Sequence, residues 1–142
     1  MAADQRGPAT SLTSLIVDSL QLSNVSQLIE FAYAQAFDKR RIAALAKPLI
    51  QAADQSDPVA IRILEKAADE LVEHVRSLHR QCGDFSIHTV IHSAGSIFEH
   101  SQLLKQRFII TIDNEHLGRY HAAYQDAAYG AAMLALQTTM QD

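Results

Sequence analysis

Apolar positions recur at helical spacing through the first eighty or so residues. Leu12, Leu15, Ile16 and Leu20 predict a helix from Leu12, with Thr10 or Ser11 as its cap and Gly7-Pro8 punctuating an extended lead-in. Asn24, with Gln27 three residues on as in a capping box, predicts a second helix carrying Val25, Leu28, Ile29 and Phe31. Asp38 is a third cap candidate, ahead of a stripe of Ile42, Leu45, Ala46, Leu49, Ile50 and Ala53. Pro48 lies inside that stripe. It lacks a backbone donor, so a kink or a split is expected there. Asp57-Pro58 is the clearest start signal in the chain: a capping side chain, then proline at the first helical position. The run to Arg80 carries Val59, Ile61, Ile63, Leu64, Ala67, Ala68, Leu71, Val72, Val75 and Leu78, and Gly83 stops it. At about 24 residues it spans roughly 36 Å.

The pattern changes after Gly83. Phe85 to Ile91 is short, β-branched and apolar, which predicts a buried strand, and small residues Ser93-Ala94-Gly95-Ser96 follow it. A short helix is expected from Ser101 to Gln106, and a second strand at Phe108-Ile109-Ile110-Thr111-Ile112. A polar loop from Asp113 to Gly118 and an Ala-rich helix from Ala122 to Leu136, interrupted by Gly130, complete the chain. The expected fold is α/β: a helix-rich N-terminal half, then a βαβα unit with parallel strands and a right-handed crossover. Two strands do not make a stable sheet alone. Pairing with another chain, further strands, or a larger protein would each resolve this.

Length and composition bound the rest. The 142 residues are the size of a single domain, and 48% apolar with 20% charged residues is ordinary for a soluble globular chain. A net charge of −4 does not support a nucleic-acid-binding face. The single Cys82 excludes an intramolecular disulfide framework. No apolar run approaches the ~18 residues of a membrane span. No leader is visible at the start of the chain, so a cytoplasmic location is the default.

Seven histidines raise the question of a metal. His88 and His92 share the i, i+4 spacing of helical zinc sites, but in a strand four residues span roughly 13 Å, too far for one ion. His74 and His79 point to different helical faces, and His116 and His121 flank a glycine. Hydrogen-bonded or surface histidines are the expected reading, with no metal site. Cys82 has no orienting partner and reads as a structural thiol. Glu65/Asp69 and Asp69/Glu73 read as a solvated helical face. The site of interest is His92-Ser93-Ala94-Gly95-Ser96-Ile97-Phe98. Small residues beyond the carboxyl end of a strand let backbone approach a ligand, and open α/β sheets bind ligands there. A small-residue turn is also a common packing device.

Four stretches together resemble the C-terminal half of the N-acetylglucosamine kinase-like and BadF/BadG/BcrA/BcrD-type ATPases, within the sugar kinase, heat-shock protein 70 and actin superfamily. Asp4-Gln5-Arg6-Gly7-Pro8-Ala9-Thr10-Ser11-Leu12 is similar to the family's D-G-R-G-P-x-T-x-L. The others are Phe37-Asp38-Lys39-Arg40-Arg41-Ile42-Ala43-Ala44-Leu45-Ala46, Ala52-Ala53-Asp54-Gln55-Ser56-Asp57-Pro58-Val59-Ala60, and the ordered set of strand, Ala94-Gly95-Ser96-Ile97-Phe98, strand and Ala128-Tyr129-Gly130-Ala131-Ala132. The resemblance covers nearly the whole chain. It implies a ribonuclease H-like, actin-type ATPase lobe spanning residues 1–142 as a single domain, with ATP as the ligand. It implies that Ala94, Gly95, Ser96 and Ile97 face the nucleotide and that Gly130 packs beside their turn. Ser96 stands where the family commonly has a second glycine, and adds a side chain where backbone approach matters. Gln5 replaces a glycine, and Ala127 stands near a common proline.

In the resembled family an N-terminal lobe holds the first phosphate loop, the catalytic carboxylate, the Mg²⁺ contacts and most sugar contacts. This chain has no Gly-rich phosphate loop, so phosphoryl transfer by the chain alone is not expected. No catalytic residue is assigned. Two functions remain: a nucleotide-binding lobe whose partner is a kinase lobe or another copy of itself, or a non-catalytic interaction or dimerisation module derived from that lobe. Neither nucleic acid nor membrane is an expected partner.

Overall fold

The computed structural model describes residues 7–33, 39–122 and 127–139. Asp38, residues 4–6 and Phe37 of the resemblance, and residues 123–126 of the expected terminal helix lie outside them. The chain divides into two compact units, residues 1–69 and residues 70–142.

In the first unit the periodic segments are helices where the pattern places them: α1 (Leu12–Ser19), α2 (Gln27–Tyr33), α3 (Lys39–Ala44), α4 (Ala46–Asp54) and the start of α5 (Pro58–Gln81). Leu12, Ala52 and Ala60 are buried together, and Leu15, Ile16, Leu49 and Ala53 pack against them. Alanines at this contact let helix backbones come close. The backbone amide of Gln27 donates to Asn24 Oδ1 (3.2 Å), while Gln27 Oε1 accepts from the amide of Ser23 (2.7 Å), one residue earlier than in the standard box. Pro48 splits its stripe. Its ring forbids a helical carbonyl four residues back, and Ala44 is the last residue of α3. In α4 proline then occupies the first turn, where a missing donor costs nothing.

Three helices end alike. Gln21, Ser56 and His116 adopt φ of 54°, 64° and 54°, the left-handed region. The next amide closes back on the helix in each case: Leu22 to the Val17 carbonyl, Asp57 to Ala52 and Leu117 to Ile112, at 2.9–3.0 Å. These are Schellman closures built without the customary glycine.

The second unit departs from expectation in its middle. The stretch Phe85–Ile91 is not one strand; β1 is only Val90–His92. Ser86 and Thr89 instead close a local turn. The Ser86 amide donates to Thr89 Oγ1 (2.9 Å), and the Thr89 amide to the Ser86 carbonyl (2.9 Å). The expected strand at residues 108–112 is a helix. After α6 (Ser96–His100), α7 runs from Gln102 to Asn114. Ser101 Oγ caps it by accepting from the amide of Leu104 (3.3 Å). Leu104, Phe108 and Ile112, four apart, form its buried stripe. Three consecutive apolar residues, Phe108 to Ile110, satisfy either period, and burial at every fourth position selects the helix.

The second strand, β2 (Arg119–His121), lies between the expected loop and the expected terminal helix, where no element was assigned, and it pairs with β1 in parallel: Val90 with Arg119, Ile91 with Tyr120, His92 with His121. The βαβα order and parallel pairing hold, with different residues supplying the second strand. Gly118 makes the approach possible. At φ +150°, a Cβ there would stand 2.7 Å from Ile91 Cδ1 and 2.8 Å from the Thr89 carbonyl oxygen. Helix α8 spans Ala127–Thr139. Arg76 on α5 holds Glu115 beyond α7 through two parallel bonds, 2.7 Å from Nε and 2.6 Å from Nη2. Glu73, expected on a solvated face, is exposed but paired with Arg76 and Arg80. No helix among the described residues is long and apolar enough to cross a membrane.

Candidate functional site

β1 carries the chain to the small-residue turn. Ala94, Gly95 and Ser96 are exposed and Ile97 is half-buried at the start of α6. Gly95 is the N-cap of α6 at φ 109° and ψ 150°, a conformation confined almost wholly to glycine. A Cβ at Gly95 would meet no heavy atom within 4 Å among the described residues. Its glycine therefore answers to backbone conformation, and the space beside it is open.

Two contacts bracket this turn. Before it, Ser93 Oγ and the Tyr120 hydroxyl are 2.8 Å apart, part-buried. After it, the Phe98 ring on α6 meets Phe108 on α7 edge-on, with centroids 5.2 Å apart. Phe108 in turn meets Tyr120 edge-on at 6.4 Å. One aromatic group thus serves both ends of the turn. Ser93 lay within the stretch singled out from sequence, but its partner Tyr120 did not, because the strand holding Tyr120 was not recognised. On β1 and β2, His92 Nδ1 lies 3.0 Å from the His121 carbonyl, and the two rings are 6.3 Å apart. The histidine neighbours are set by strand register, not by the spacings His88/His92 or His116/His121. Among the described residues no three His, Cys, Asp or Glu gather so as to hold a metal ion.

Gly130 stands on α8, exposed, where a Cβ would meet no heavy atom within 4 Å among the described residues. Cys82, expected as a structural thiol, is exposed.

A second polar cluster lies in the first unit. The buried Asp57 carboxylate accepts from Thr10 Oγ1 (2.9 and 3.0 Å), from the Ser11 amide (2.7 Å) and hydroxyl (2.9 Å), and from the amides of Val59 (2.9 Å) and Ala60 (3.1 Å). Burial alone would raise its pKa. The Ala60 and Ser11 amides and the Thr10 and Ser11 hydroxyls outweigh that and hold it well below the usual carboxylate range. Sequence reading found the cap but not the tether to Thr10 and Ser11, 47 and 46 residues away. Two of the stretches that carry the family resemblance meet here. With its acceptors occupied by its own chain, Asp57 is a structural anchor. On the second unit, hydrogen bonds to Glu115 and Glu73 raise the pKa of Arg76; hydrogen bonds from Arg80 and then Arg76 lower that of Glu73, and those from Arg76 lower that of Glu115.

As a seat for ATP, the turn offers open backbone to a flat group, whereas neither a Gly-rich phosphate loop nor a carboxylate cluster for Mg²⁺ stands among the described residues.

Comparison with known proteins agrees with the motifs. The chain is 29% identical over 133 residues to the N-acetylmuramic acid/N-acetylglucosamine kinase of Clostridium acetobutylicum, covering 93% of this chain and 44% of that one. It is 29% identical over 145 residues to the N-acetyl-D-glucosamine kinase of Dictyostelium discoideum, covering 96% and 44%. The chain thus spans less than half the length of these relatives. The model of the BadF/BadG/BcrA/BcrD ATPase family matches residues 1–135. The chain, helix-rich α/β with a small parallel sheet, therefore belongs to the BadF/BadG/BcrA/BcrD ATPase family.

Proposed function

We propose that residues 1–142 are the nucleotide-binding, C-terminal lobe of an N-acetylglucosamine kinase-like ATPase, of ribonuclease H-like fold. Backbone at Ala94, Gly95, Ser96 and Ile97 faces the purine of ATP. A second lobe supplies the phosphate loops, the Mg²⁺ contacts and the sugar site. The observation that carries this reading is the open Gly95 backbone beyond a parallel strand, in a chain of an ATPase family. Catalysis needs phosphates, metal and acceptor held in line. The chain by itself is therefore a binding lobe, with negligible phosphorylation of N-acetylglucosamine expected from it.

Calorimetric titration with MgATP, ADP and adenosine tests the proposal. Binding is expected, and Gly95→Val abolishes it while far-UV circular dichroism shows the fold retained. No heat and no thermal shift at millimolar nucleotide would exclude it. Exposed Tyr129, Met133, Leu134 and Leu136 on α8 favour a second reading, an interaction or dimerisation module without nucleotide. Light scattering that shows a nucleotide-independent dimer, together with silent calorimetry, would select it.

A further inference from the structure

We infer that Tyr120 is a positioning residue for the Gly95 turn, acting through Ser93. The inference rests on the nucleotide-binding reading for its functional consequence but not for its geometry. From Ser93 to the first turn of α6, where the Gly95 carbonyl accepts from the Phe98 amide (3.1 Å), the backbone of the turn runs between two fixed points. The first is the Ser93 Oγ–Tyr120 OH hydrogen bond at 2.8 Å; the second is the Phe98–Phe108 contact at 5.2 Å. Phe108 also abuts Tyr120, so both fixed points trace to neighbouring aromatic side chains on α7 and β2. Among the described residues nothing lies within 4 Å of the Cβ position at Gly95 to brace the turn from the side. The residue's own φ of 109° supplies no rigidity, since glycine moves among conformations at little cost. The turn's position is therefore set from its ends. Removing the hydroxyl of Tyr120 frees one end while the ring keeps its contact with Phe108. A ligand resting on that backbone would then have to order it on binding, and its affinity falls accordingly.

The experiment pairs hydrogen–deuterium exchange on the nucleotide-free chain with MgADP titration, for Tyr120→Phe, Ser93→Ala, the double variant and Ser93→Thr. Tyr120→Phe and Ser93→Ala each raise exchange at amides 94–98, with protection across residues 104–112 unchanged. Each weakens MgADP binding about 3–10-fold, the range of one lost hydrogen bond. The double variant is no weaker than either single one, and Ser93→Thr, which keeps a hydroxyl, retains wild-type affinity. Unchanged exchange at 94–98, a uniform rise that includes 104–112, or additive losses in the double variant would overturn the inference. If the wild-type chain binds no MgADP, the nucleotide reading fails, and the exchange pattern alone decides the role of Tyr120.

Discussion

Helix α5 and helix α6 both begin at a sharp reversal, and the two reversals are built oppositely. At Asp57-Pro58 every lone pair of the capping carboxylate that can find a donor has one, from α5 itself and from Thr10 and Ser11. At Gly95-Ser96 the N-cap makes no side-chain hydrogen bond, the backbone is in a glycine-only conformation and the space beside it is open. The first reversal stores its chemistry inwardly as stability. The second leaves backbone groups and volume for something else. A glycine-only conformation that no neighbouring contact among the described residues requires marks a place worth testing for function. Gly118 shows that positive φ alone is not the sign, because there the same residue type is explained by the wall of β1 against it.

Substitutions separate these cases. Gly118→Ala combines backbone strain with overlap onto Ile91 and the Thr89 carbonyl, and lowers the melting temperature by roughly 10–20 °C. Differential scanning calorimetry measures it; a shift equal to that at Gly95 would erase the distinction between the walled and the open glycine. Asp57→Asn loses a charge-assisted cap and its tether, for roughly 5–10 °C at neutral pH. Because folding lowers the pKa of Asp57, its contribution is present above the ordinary value of 3.8 and is lost as pH falls below it. Urea denaturation between pH 5 and pH 3 should therefore show wild type losing stability more steeply than Asp57→Asn, and parallel curves would refute the anchor. Gly95→Ala meets strain without overlap and costs about 3–5 °C, and any nucleotide affinity should fall by a larger share than stability does. Smallest is Ser56→Gly, which relieves a left-handed non-glycine residue just before Asp57 and raises melting by about 2 °C. A drop would mean that the serine side chain contributes to the reversal.

Much of the first unit was legible because its signals are local. The Asp57 side chain reaches amides two and three residues on, and Pro48 acts on a carbonyl four residues back, so the sequence window contains the whole interaction. Helix ends were harder: Gln21, Ser56 and His116 close Schellman turns without the glycine that announces them. The expected strand at 108–112 failed for a related reason. Its run of apolar residues carries no period of its own, and Leu104, which completes the stripe with Phe108 and Ile112, was assigned to a separate short helix. Of the candidate site, the turn at residues 94–97 was readable as small residues after a strand. Its brackets, Ser93 with Tyr120 and Phe98 with Phe108, were not, since each joins segments far apart in the chain.

The order of letters alone settled the family motifs, the start of α5, the break at Pro48 and the turn of small residues after β1. Each of these is written in neighbours a few positions apart, where sterics and backbone donors leave few choices. Folding settled which residues form β2, why Gly118 has no side chain, what Asp57 holds beyond its own helix and what braces the Gly95 turn. Those outcomes depend on atoms brought within 2.7–5.2 Å from segments separated by up to 47 residues. Short polar strands and bare glycines look alike until a partner surface is in place beside them.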